Sequence, residues 1–368
     1  MRRSILLAAI LIPALTPPEY SVVPKQVQVA DGVVLFITPR YGDVGLDGNS
    51  VAIISRDGVL VFDSNGTPAA AAAVLAQIRM LTDRPVKYLV NSHWHWDHWY
   101  GAEVYKKAFQ EIEIITHEKT REMMMGPALA FNKPGLETEL PAYVKSLEKK
   151  LAAAEAASPP PDSLPRLRQL VEADRFFLDQ KTNVSHTFPT RTFKDRLDID
   201  LGGRQVQVLH HERAVTPGDA FLYLPNEKIL ITGDLLVNPI AFALSVYPSG
   251  WLRTLERLDA LDASVIVPGH GEPLRDETLL HATMTVFREL LRQGKEAKAN
   301  GMDVEAARAA IMPSLEGPMK SITGGDPALA ETFAIYLVDW YLHRVYDELD
   351  GPLTDDIARI PRHKPAGD

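Results

Sequence analysis

The chain has 368 residues, enough for one large domain with additions or for two smaller ones, and carries a net charge of −9. That acidic balance disfavours a general nucleic-acid-binding role, which wants a basic face. There is no cysteine, which excludes disulfides, thiolate nucleophiles and cysteine-ligated zinc, so any metal must be held by nitrogen and oxygen.

The N-terminus, MRRSILLAAILIPALTPPEY, sets two arginines before an apolar run from Ile5 to Leu15, which Thr16, Pro17 and Pro18 break. This is the order of a secretory signal peptide over residues 1–20, and the run is too short to span a bilayer. The expectation is a periplasmic or secreted protein with no stable membrane insertion after processing. No clean small-x-small triplet marks the cleavage site, Ala14 to Thr16 being the nearest. An uncleaved anchor or a buried N-terminal helix is the alternative.

From about Gln26, residues 32–38, 50–64 and 86–92 read as strands, with Asp57-Gly58 as a hairpin turn inside the second. The stretch 67–83 reads as a helix, with Thr67 as N-cap and Pro68 at the first helical position. A second helix is expected from near Asp97. Residues 126–183 are different in character: two helix-like stretches flank SPPPDS, which no helix can cross. They read as a helical insertion, either scaffolding or a lid over a pocket. Strands resume at 191–201, 204–211, 220–225, 228–234 and 263–270. A helical extension follows over 281–350 and a polar tail over 351–368.

The chemistry concentrates in NSHWHWDHWYG, residues 91–101. The apolar run before it is a buried strand, so the histidines lie in the loop at that strand's C-terminal end. In extended backbone, alternate residues point the same way, so His93 and His95 can converge on one ion. Asp97 and His98 follow where the chain turns into a helix and can face a second. Two later strands also end in ligand-type residues beside glycine: KILITGD in Asp234 and ASVIVPGH in His270. Asp63, ending GVLVFD, reads as a carboxylate that orients a ligand histidine. Imidazoles with carboxylates suit Zn²⁺, with Fe and Mn ions as alternatives.

HxHxDH followed by TPGD, TGD and PGHG resembles the metallo-β-lactamase superfamily, over roughly residues 26–280. The resemblance implies an α/β fold, a four-layer αββα sandwich with the metal site at one edge of its two sheets. It implies His93 and His95 at a first metal, Asp97, His98 and His270 at a second, and Asp234 as a bridging carboxylate. It also implies a histidine before the threonine of the TPGD segment, where this chain has Val215.

Three readings of Val215 are open. His210, His211 or Glu212 supplies the missing ligand; or the first position is weak and the protein carries nearer one metal than two; or the site has decayed on a retained scaffold. The second is preferred, because two imidazoles alone hold an ion poorly while the other trio is intact.

The function that follows is a hydrolase in which metal-activated water attacks an ester, thioester, lactone or lactam-type bond of a small molecule. Asp97 or Asp234 would then handle the proton. The contrasting reading is a non-catalytic binding or partner protein on the same fold. Oligomeric state is not legible.

Overall fold

The computed structural model describes residues 20–357. The expected signal peptide, apart from Tyr20, and the tail beyond Ile357 lie outside the described residues.

Two sheets face each other. The first has seven strands in spatial order β1 to β7: β1 (Lys25–Ala30), β2 (Val33–Ile37), β3 (Ser50–Ser55), β4 (Gly58–Phe62), β5 (Val86–Val90), β6 (Glu113–His117) and β7 (Arg191–Phe193). The second has five, in order β12-β11-β10-β9-β8: β8 (Arg196–Asp200), β9 (Gln205–Leu209), β10 (Phe221–Leu224), β11 (Ile229–Ile231) and β12 (Val265–Val267). The hairpin at Asp57-Gly58 joins antiparallel β3 and β4, with Ser55 opposite Gly58.

Strand alternation builds the layers. On β2, Val33 and Leu35 point inward with Ile53, Leu60 and Phe62, meeting Val206, Val208, Leu222 and Ile231 from the second sheet. Val34 and Phe36 point outward into a cluster with Val74 and Ile78 of α1 (Pro68–Leu81) and Tyr105 of α2 (Ala102–Ala108). Thr67 caps α1 as expected, accepting from the Ala70 N–H.

Helix α3 (Glu118–Met124) leads into the insertion, which carries α4 (Pro127–Pro134), α5 (Leu140–Ala156) and α6 (Leu164–Thr182). Helices α5 and α6 pack together and carry ion pairs Arg175–Glu148 and Arg168–Glu155. On the far side of the second sheet, Phe221, Leu230 and Ile266 pack against α7 (Pro248–Asp259), α8 (Thr278–Ala299) and the helices that follow. The architecture is therefore the four-layer helix–sheet–sheet–helix sandwich, with C-terminal helices added. Each fully buried Val, Leu, Ile or Phe contributes roughly 1.5–3 kcal/mol, against about 0–1 kcal/mol for an exposed ion pair, so the sandwich interior holds the strand ends in register.

One local element departs from expectation. After the histidine loop the chain makes only a 3-10 turn, Trp96–His98, and α2 begins at Ala102. Gly101 between them lies against the Ser64 carbonyl, where a Cβ would collide. The interruption keeps Asp97 and His98 buried at the sheet edge.

Candidate metal centre

Four strand ends meet at one edge of the sandwich. Parallel β4 and β5 end in Asp63 and in the Asn91–His93 segment; parallel β11 and β12 end in Asp234 and His270. Backbone bonds lock them together. The Ala220 N–H donates to the Ser92 carbonyl at 2.7 Å, Gly269 to the Gly233 carbonyl at 2.8 Å, and Ser64 to the His98 carbonyl at 2.9 Å. Asn49 ties the two sheets: its backbone N–H reaches the Gly269 carbonyl at 2.7 Å and its amide the Pro268 and Gly271 carbonyls, both at 2.9 Å. Gly269 has to be glycine, since a Cβ there would run into the Asp234 carboxylate.

Asp63 sits in left-handed backbone at φ 60°, an uncommon conformation for a non-glycine residue. Its carboxylate accepts from the Ser92 N–H and Ser92 hydroxyl, both at 2.7 Å, and from His98 Nδ1 at 2.8 Å. A carboxylate only accepts, so His98 carries its proton on Nδ1 there and turns Nε2 the other way. The Ser92 hydroxyl, having donated to Asp63, accepts from His93 Nδ1 at 2.9 Å, which frees His93 Nε2 as well. One carboxylate thus orients two imidazoles, one directly and one through a serine.

The freed atoms converge. His98 Nε2 lies 3.3 Å from Asp97 Oδ2 and 3.3 Å from Asp234 Oδ1, and His270 Nε2 lies 3.2 and 3.4 Å from the same two atoms. His93 Nε2 is 3.6 Å from Asp234 Oδ2 and 2.8 Å from His95 Nδ1. Ligand atoms of Asp97, His98 and His270 fall within 4.8 Å of one another, as do those of His93, His98 and Asp234.

Two of these buried atoms, His98 Nε2 and Asp234 Oδ1, have no hydrogen-bond partner. Such atoms cost free energy unless something else satisfies them, and a cation between them would. The donor set of imidazole nitrogens and carboxylate oxygens fits Zn²⁺ or a neighbouring first-row ion.

Electrostatics separates the two halves. Burial lowers His93 and His95 below the ordinary histidine value, so both are neutral with lone pairs available. Burial would also lower His270, but the Asp234 and Asp97 carboxylates outweigh it and raise it to about 10. Burial pushes the Asp97 and Asp234 carboxyls up, yet His98 and His270 hold both well below the usual carboxylate range. The Asp97–His98–His270–Asp234 half is a place that collects positive charge.

The three candidates for a substitute ligand face other partners in the structure. Glu212 is tied to Arg253 at 2.6 Å and to Arg257 at 3.3 Å on the surface. His210 donates Nδ1 to the Asp219 carbonyl at 2.9 Å and stacks on His117, and His211 packs on Phe221. None of the three joins the cluster. Val215 is 2% exposed and packs in the apolar cluster of Phe221, Leu235 and Trp251.

A residue the sequence reading passed over is Asp219, the last of TPGD. It is buried, held by the Thr216 N–H and hydroxyl, and raised to about 7 by burial, with Asp234 close enough to add to the rise. Its place in the TPGD motif was the signal that could have drawn attention to it.

A sequence profile described as the metallo-beta-lactamase superfamily matches residues 43–270. The chain belongs to that superfamily. It is 25% identical over 256 residues to the linear primary-alkylsulfatase of Pseudomonas sp. (strain ATCC 19151), an alignment covering 65% of this chain and 44% of that protein. It thus spans less than half the length of this curated relative. Among solved structures, a metallo-beta-lactamase from Pontibacter korlensis superposes with a TM-score of 0.51 at 19% identity, covering 72% of this chain and 99% of that one. VMB-1 superposes with a TM-score of 0.50 at 17% identity, covering 72% and 97%. These two share the superfamily's fold with the present chain.

Proposed function

We propose that the protein is a metal-dependent hydrolase of a small-molecule ester, thioester, lactone, lactam or sulfate ester. The observation that carries this is the pair of unsatisfied buried atoms, His98 Nε2 and Asp234 Oδ1, enclosed by Asp97, His270 and His93. Superfamily membership supports the hydrolase class. The alkylsulfatase relative adds the sulfate ester to the bonds suggested by the residues alone.

Asp97, His98 and His270 would hold the tighter ion, with Asp234 reaching toward both positions; His93 and His95 would hold a weaker one. Bound zinc would supply Lewis acidity and lower the pKa of water to about 7. The chain's own part is orientation and proton handling. Asp63 fixes His98 directly and His93 through Ser92. Asp234, half-buried between His93, His98 and His270, would accept a proton and return it to a leaving group. Export to the periplasm, proposed from the N-terminal pattern, would put the site among extracellular small molecules.

The test is metal analysis of the purified protein, followed by hydrolysis of a panel of ester, thioester, lactone, β-lactam and alkyl sulfate. Wild type is expected to carry nearer one tightly held ion than two and to lose activity on metal depletion. A double variant, His98→Ala with His270→Ala, should show neither metal nor activity. Equal background rates in both proteins would overturn the hydrolase reading in favour of a binding protein.

A further inference from the structure

The end of α6 reaches across the insertion boundary and lies on the metal loop. Phe177 packs on Trp96 with ring centroids 5.7 Å apart and on Tyr41 at 5.1 Å. The Gln180 amide oxygen accepts from the Ala69 N–H at 2.9 Å. Between these contacts Lys181 points inward, 7% exposed. Its Nζ lies 3.4 Å above the Trp96 ring centre and 4.1 Å above that of Tyr100.

No acceptor hydrogen-bonds this amine among the described residues. A buried amine without an acceptor is costly, so its setting must favour it in another way. Two aromatic faces do so, each turning the negative face of its ring toward the N–H bonds of the amine. Burial still holds the Lys181 amine well below the usual lysine range, and the carboxylates of Asp97 and Asp47 oppose that only in part.

Trp96 and Tyr100 bracket the turn that carries Asp97 and His98. The Trp96 ring also closes on Gly66, where a Cβ would collide with it, so the glycine is what lets the ring lie there. Asp47 braces the same place, accepting from the Gly66 N–H and the Tyr41 hydroxyl. The backbone of the next residue, Gly48, donates to the Asp97 carbonyl at 3.2 Å.

We propose that Lys181 is a positioning residue for the metal loop. By lying over Trp96 and Tyr100 it makes the end of the helical insertion the fixed back wall of the turn that presents Asp97 and His98. The insertion is then structural support for the site at this end rather than a lid that lifts away. The inference rests on reading Asp97 and His98 as the working residues of the centre.

The experiment compares wild type, Lys181→Met, Lys181→Arg and Arg175→Met by hydrogen exchange, with metal and after stripping. Methionine keeps the bulk over the rings and removes the amine; Arg175→Met removes an exposed ion pair of the same insertion. In Lys181→Met, protection should fall by about tenfold both at 96–101 and at the end of α6, with a change in the near-ultraviolet circular dichroism of the tryptophans. Lys181→Arg should restore both, and Arg175→Met should leave residues 96–101 as they are. Where the enzyme is active, kcat should fall with KM nearly unchanged. Unchanged protection at 96–101 in Lys181→Met, with or without loosening of α6, overturns the proposal. A wild type that takes up no metal counts against the metalloenzyme reading alone, because the exchange comparison on stripped protein still decides the role of Lys181.

Discussion

The two halves of the metal centre share one loop and one orienting carboxylate, yet they differ in what faces the open atoms. In one half, His98 and His270 each meet both Asp97 and Asp234 at 3.2–3.4 Å, so imidazoles and carboxylates alternate around a common point. In the other, His93 and His95 face each other at 2.8 Å, and the nearby buried Asp219 is turned back onto Thr216. The first half has charge complementarity for a cation; the second has lone pairs and one distant carboxylate oxygen, Asp234 Oδ2, at 3.6 Å from His93. On the proposed reading, carboxylates contributed by other strands, more than the number of histidines in the loop, would separate a strong position from a weak one.

The harshest way to break this comparison is His270→Ala. It removes one of the two imidazoles facing Asp97 and Asp234, leaving the carboxylates close together with less positive charge. If the protein is the hydrolase proposed above, hydrolysis should fall by roughly a thousandfold or more, since a group that would hold the metal is lost outright. Metal content should fall with it. A His95→Ala protein should keep most of its tightly held ion. Equal metal loss in the two variants would erase the distinction between the halves.

Next in size is Asp63→Asn. The amide can still accept from Ser92, but it cannot serve as the charged partner of His98 Nδ1. Partners of this kind are worth about 10–100-fold in metal affinity, and competition with a chelator reads that directly. The loss should be larger than for Asp219→Ala, whose carboxylate is already occupied by Thr216.

Val215→His sharpens the weaker half. The sequence pattern made this the substitution that would complete a trio, but the side chain at 215 lies among Phe221, Leu235 and Trp251. An imidazole buried there without a partner should cost about 1–3 kcal/mol, measured as a lower denaturation midpoint, and metal content should not rise. A gain of one ion per chain would show that the segment can turn its side chain outward.

These positions show what was legible in the sequence. Asp63, His93, Asp234 and His270 could be read because each ends an apolar strand, and parallel strands bring their C-terminal ends to one edge. The same period-2 logic gave β2 to β5 and the Asp57-Gly58 hairpin. Val215 shows the limit. Its side-chain direction depends on a loop between β9 and β10 that has no period, and His210, His211 and Glu212 could not be ruled out without knowing that Glu212 faces Arg253. Lys181 was hidden for a different reason. It sits among polar residues of an amphipathic helix, and its contacts with Trp96 and Tyr100 exist only after the insertion folds back onto the loop.

The smallest expected effect concerns the brace beneath the stronger half. Asp47 is 6% exposed, and burial raises its carboxyl to about 7 despite the bonds from Tyr41 and Gly66. In the unfolded chain the same group titrates near 3.8. Between these values the folded protein keeps a proton that the unfolded chain has released, so this group's contribution to stability falls as pH rises from about 4 to about 7. It levels off once both states are ionised. Asp47→Asn keeps the acceptor for the Gly66 N–H and removes the titration. The variant should therefore show a flatter stability curve across that window than wild type, read from urea midpoints at several pH values. Because Asp97 adds to the rise at Asp47, a cation held by Asp97 should shrink the wild-type slope, and adding metal should bring the two curves together. Curves that stay parallel in stripped protein would mean that Asp47 is already ionised in the fold.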